Sequence, residues 1–145
     1  MIKKVIFFGQ GPHAKCVYDW CKKKKLKFLF ISSPRLANQS YVQEILNLNC
    51  DSLITKKISY EFLKKNYSKG TIGISAGASF IFTKKIISLF SGNIFNIHGA
   101  PLPEYRGAAS ISWMILNERK KWKITVHYIS TNIDAGAILM SKSII

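Results

Sequence analysis

Apolar residues recur along this chain in short blocks whose spacing switches between two periods. Ile2–Phe8 is a brief β-rich run that stops at Gly9-Gln10-Gly11-Pro12. From His13 to Lys25 the spacing turns helical. Cys16, Val17, Trp20 and Cys21 share a face there, and lysines gather at the carboxyl end, where they complement the helix dipole. Leu26–Ile31 reads as a second buried strand, closed by Ser32-Ser33-Pro34. Further on, the pattern predicts helices over Tyr41–Leu48, Tyr60–Tyr67, Thr83–Phe90 and Ala108–Asn117. It predicts strands over Asp51–Ile54, Thr71–Ser75, Asn93–Ile97, Lys123–Ile129 and Ala137–Ile145. Strands alternating with helices imply an α/β fold, a mostly parallel sheet with helices on both faces, in one domain over residues 1–145. In such folds a ligand sits at the carboxyl ends of the strands, near a switch in strand order.

Composition narrows the setting. A 48% apolar fraction is that of a globular chain. The longest apolar runs, Val5–Phe8 and Phe28–Ile31, are too short to cross a bilayer. Lys3 and Lys4 precede an apolar run as in a signal peptide, but that run ends at Gly9, so a cytoplasmic protein is expected. Cys16, Cys21 and Cys50 show neither CxxC pairing nor metal-ligand spacing, and they read as buried, reduced thiols; no metal is expected. The formal charge is +15, and all but three of the 22 basic residues are lysine, a balance that attracts RNA, anionic membranes or acidic small molecules. The lysines are scattered in pairs, however. Only Lys22–Lys25 forms a block, and it has no aromatic platform, so neither a specific nucleic acid nor a membrane is the expected partner.

The stretch with most chemistry is Asn96-Ile-His98-Gly-Ala-Pro-Leu-Pro103-Glu-Tyr105-Arg106-Gly107, with Asp134-Ala-Gly136 beyond it. Asn96 and His98 are two apart on a strand, so their side chains leave on one face. An amide and an imidazole side by side can stabilise a developing negative oxygen, and the imidazole can relay a proton. A carboxylate at Asp134 can set that imidazole's protonation state. Pro101 and Pro103 stiffen the loop, while Tyr105 and Arg106 add a phenol and a guanidinium. The first loop is half of a dinucleotide fingerprint. It lacks the third glycine, and no acidic residue ends the second strand, so no nicotinamide site is expected. His127, alternating with Val126 and Tyr128, reads as structural.

Taken jointly, these residues resemble the formyltransferases that use 10-formyltetrahydrofolate, in which an Asn-x-His pair precedes a Leu-Pro-x-Tyr-Arg-Gly-type loop and an Asp-x-Gly follows. The match is close over about residues 71–141. The resemblance implies a Rossmann-like catalytic domain that stops short at its carboxyl end, with Asn96, His98 and Asp134 in the catalytic positions. It implies a folate donor against Ser75, Ala76, Gly77, Ala78 and Phe80, and an acceptor touching Gln10, His13, Tyr105, Arg106 and Gly107. Among acceptors, the Gly/Pro-rich run after His98 is most similar to enzymes acting on amino sugars linked to dTDP or UDP, which supply surface polysaccharide. Methionyl-tRNA, phosphoribosylglycinamide and a non-catalytic remnant are the alternatives. A terminal strand at Ile145 with no following helix leads to an expected homodimer.

Overall fold

The structure, a computed structural model, describes residues 1–144. Within them seven strands form one sheet: β1 (Lys4–Gly9), β2 (Lys27–Ser32), β3 (Asp51–Ile54), β4 (Thr71–Ala76), β5 (Ile94–His98), β6 (Lys123–Tyr128) and β7 (Ile138–Ser143). Their order is β3-β2-β1-β4-β5-β6-β7. The first five strands are parallel, whereas β6 and β7 pair antiparallel. The chain winds outward from β1 to β3 and resumes with β4 on the other side of β1, which makes the β1/β4 boundary the switch point.

Among the described residues six helices connect the strands: α1 (Gly11–Lys23), α2 (Pro34–Ala37), α3 (Ser40–Leu46), α4 (Tyr60–Asn66), α5 (Lys84–Leu89) and α6 (Ser110–Leu116). The four-residue α2 has no counterpart in the apolar spacing, because one turn opening with proline offers no period to read. Alternation along each strand divides the core in two. Val5, Phe7, Phe28 and Phe30 face α1 and α3, while Ile6, Phe8, Leu29 and Ile31 face α4 and α5. Ser59 and Thr83 cap the second pair of helices, accepting from the amides of Phe62 and Ile86.

Two expectations need correction here. The buried face of α1 runs through Ala14 and Cys21, with Val17 and Tyr18 packed against it; Cys16 is exposed and Trp20 partly so. A stripe through Ala14, Val17, Tyr18 and Cys21 keeps helical spacing, and the competing stripe through Cys16 and Trp20 is one position off. Burial pushes the Cys21 thiol up to about 11, which keeps it protonated and inert. The final strand is shorter than Ala137–Ile145, and Ile145 itself lies outside the described residues. Apolar Ile138, Leu139 and Met140 of β7 are exposed, as are Trp113, Ile115 and Leu116 of α6. Among the described residues no helix is long and apolar enough to cross a membrane.

Phe90 closes the α5 side, fully buried, with its ring edge-to-face against Phe8 at 6.3 Å and Tyr67 at 5.7 Å. Phe90→Ala should therefore cost about 3–5 kcal/mol of stability, read from urea unfolding midpoints, whereas Trp20→Ala should stay within about 0.5 kcal/mol.

Candidate active site

On the α4/α5 face, side chains change character along the strands. Gly73 and Ile94 lie side by side in the apolar core, and one step further Ser75 lies beside Asn96. Because β6 pairs antiparallel with β5, Asn96 stands opposite His127 and His98 opposite Thr125, all on the same face. The helices cover the apolar half, leaving a cavity of about 480 Å³ over the polar half. Its walls are residues 77–82, 96–99, 107–108, Ser110 and 129–134, with Ser75 and His127 contributing to the floor.

Asp134 reaches this floor by doubling back. Ile129 follows β6 and donates to the Ile94 carbonyl at the starting end of β5, so the chain must cross the sheet face again to bring Asp134 to Asn96. The return is tight. Asp134 adopts a left-handed φ of 48°, and a Cβ on Gly136 would sit 1.7 Å from the Tyr128 carbonyl oxygen. Only glycine permits that approach, which is the physical content of the Asp-x-Gly spacing.

The carboxylate is then gripped from four sides. Oδ1 accepts from the Asn96 amide nitrogen at 3.2 Å and lies 3.3 Å from His127 Nε2. Oδ2 accepts from the Gly107 backbone at 2.9 Å and lies 3.6 Å from His98 Nδ1. Burial by itself would raise the carboxyl's pKa. A hydrogen bond from the protonated His127 ring, the Gly107 amide and the charges of the two protonated imidazoles outweigh it where the carboxyl titrates, and hold the group below its ordinary value. Asp134 is thus a carboxylate at neutral pH.

The proline-rich loop holds the other partner. Thr125 Oγ1, fully buried, donates to the Ala100 carbonyl at 2.8 Å, and the Tyr105 amide donates to the Pro101 carbonyl at 3.0 Å. The loop so curled presents the Tyr105 carbonyl to His98 Nε2 at 2.6 Å. A carbonyl can only accept, so Nε2 carries the hydrogen. In the neutral ring the free lone pair is therefore on Nδ1, facing Asp134.

The structure brings Asn96, His98 and Asp134 together, with Ser75, Gly77, Ala78 and Phe80 in the cavity wall. It does not bring Ala76 there. Alternation turns Ala76 into the opposite core, one residue beyond inward-facing Ser75. Gln10 packs near Gly77 on the α1 side, His13 is exposed, and neither lines the cavity. Tyr105 contributes its carbonyl, and its ring lies near Arg119. Arg106 is exposed outside the cavity, and Gly107 serves the Asp134 carboxylate. His127, expected to be structural, is a member of the site, and residues 129–133 form a wall that the motif did not announce.

Buried acid and base groups at the open end of a doubly covered sheet suit proton-coupled transfer of a small group. The chain belongs to the formyl transferase family, whose pattern matches residues 3–145. Methionyl-tRNA formyltransferase of Pelagibacter ubique is 30% identical over 154 residues, covering 95% of this chain and 48% of that protein. This chain therefore spans less than half the length of that curated relative. Glycinamide ribonucleotide transformylase 1 from Geobacillus kaustophilus shares the fold with a TM-score of 0.80 at 18% identity, covering 99% of this chain and 82% of that one. An N-formyltransferase from Helicobacter canadensis, solved with folinic acid and dTDP-3-aminofucose, gives a TM-score of 0.74 at 23% identity, covering 99% and 52%.

The held-down carboxyl carries a sign that can be measured. A folded-state pKa below the unfolded value of about 3.9 gives stability that is fully present above that value and is lost as pH falls through the folded pKa. Wild type should therefore gain stability over Asp134→Asn as pH rises from below about 4 to 7, read from urea midpoints at each pH. A gap independent of pH would mean that the carboxylate gains nothing from its neighbours.

Proposed function

We propose that this chain carries an N-formyl transfer site that moves a formyl group from 10-formyltetrahydrofolate to the amine of a nucleotide-linked amino sugar. The observation that carries the reading is the convergence of Asn96, His98 and ionised Asp134 on the polar floor of one cavity. The wall beside it fits a flat heterocycle. Among the described residues, no backbone hydrogen bond involves residues 78–82, so their amides and carbonyls are open to a pterin edge, next to the apolar ring of Phe80.

Each residue has a role that follows from its partners. An amine adding to the formyl carbon gathers negative charge on oxygen and must shed a proton. His98, with Nε2–H fixed on the Tyr105 carbonyl, offers Nδ1 as the proton acceptor. Asp134, facing Nδ1, stabilises the imidazolium so formed. Asn96 supplies the N–H that meets the growing charge on oxygen. The proton leaves with the displaced donor nitrogen, which gains one as the amine loses one.

For the acceptor, the charge of +15 favours a diphosphate, and the Helicobacter canadensis neighbour was solved with a dTDP-linked amino sugar. A cytoplasmic setting belongs to the same reading. A methionyl-tRNA acceptor is the second reading, favoured by the identity to the Pelagibacter ubique protein. The test is release of deformylated folate on mixing chain and donor with a dTDP or UDP amino sugar, with formylatable tRNA, or with phosphoribosylglycinamide. Turnover with tRNA alone would move the acceptor to the second reading, and no turnover with any of them would remove the activity.

Where turnover is found, Asn96→Ala and His98→Ala should each lower kcat by about 10²–10³ and leave donor affinity nearly unchanged, because their contacts strengthen only as charge develops. A variant that kept near-native kcat would take its residue out of the mechanism.

A further inference from the structure

Asn96 faces a difficulty in the resting site. Its amide nitrogen lies 3.1 Å from His127 Nε2 and 3.2 Å from Asp134 Oδ1, and those two atoms are 3.3 Å apart. The three atoms make a nearly equilateral triangle. His127 Nδ1 lies 2.8 Å from the Tyr128 carbonyl, which can only accept, so Nδ1 carries the hydrogen and Nε2 of the neutral ring is a bare lone pair. Asp134 is ionised and also only accepts. Each acceptor can take one of the two Asn96 N–H groups, and neither hydrogen is then left for a ligand in the cavity.

We propose that His127 is a positioning residue whose protonation releases one Asn96 N–H into the cavity. A proton on Nε2 turns that atom from acceptor to donor, and the acceptor within reach is Asp134 Oδ1. Asn96 then keeps one hydrogen on Asp134, and its other is repelled by the new N–H and swings toward the open side. The groups facing His127 are few. Asn96 comes from β5, Asp134 from the following loop, and His98 stands on the far side of the same carboxylate; β7 sets Ile138 opposite in register. The ring is 2% exposed, so its hydrogen-bond partners come from this cluster rather than from bulk solvent. The inference deepens the formyl-transfer reading, since it says when the amide becomes able to meet a developing oxyanion.

The test does not depend on turnover. With the full chain labelled in nitrogen-15, imidazole correlations should show His127 with Nδ1 protonated and Nε2 bare at pH 8. On titration, the Asn96 side-chain NH₂ signals should shift with the His127 midpoint. One of the two protons should then exchange with water faster by about three- to tenfold, the worth of a single hydrogen bond. A His127 found with Nε2 protonated while neutral, or an Asn96 pair that ignores the His127 titration, overturns the proposal. So does a ring that stays neutral until the chain unfolds. His127→Gln keeps an acceptor opposite Asn96 but cannot gain a proton, so its Asn96 signals should lose their pH dependence. In turnover its loss should fall on kcat rather than on the donor KM. A chain inactive on every acceptor would sink the transfer reading and leave the resonance result standing.

Discussion

Everything in the site hangs on the carboxylate of Asp134. It accepts from Asn96 and Gly107 and lies against both imidazoles, so strand β5, strand β6 and the proline-rich loop all meet at two oxygen atoms. A buried negative charge is costly unless it is surrounded in this way, and the depressed pKa shows that its neighbours outweigh the cost. The convergence also explains the long return from Ile129. The chain crosses the sheet face a second time because the partners are there and nowhere else.

That geometry rests on the change from parallel to antiparallel pairing at β6. A parallel sixth strand would have delivered its following loop directly to the same rim as His98. The antiparallel partner sets His127 opposite Asn96 and leaves the following loop to return across the sheet face, and it also places Thr125 where it can fix the Ala100 carbonyl. The proline-rich stretch is then more than a turn. Its curl is what aims one main-chain carbonyl at His98 and so decides which ring nitrogen carries the hydrogen.

Much of this was legible in the chain. Alternation at Asn96 and His98 declared one face. The two-layered core followed from apolar runs separated by helical spacing. His127 was not legible, because an inward-facing position on a strand looks the same whether it meets core or cavity, and only register tells them apart. Ala76 shows the same rule in reverse: its neighbour Ser75 faces the cavity, and one residue further on the side chain turns into the opposite core. Gln10 and His13 entered through the resemblance, as acceptor contacts, and they stand at the head of α1, outside the cavity lining.

Several of the site's attachments are to main chain: the carbonyls of Tyr105 and Tyr128 and the amide of Gly107. The first two persist whatever side chain stands at those positions, so long as the path is kept. What they do not survive is a change in the number of residues along that path. Divergence at this site is therefore open to replacement of side chains and closed to insertions or deletions between His98 and Gly107, or between Tyr128 and Gly136. Loop length, more than residue identity, is the property by which descendants of this chain would stay recognisable.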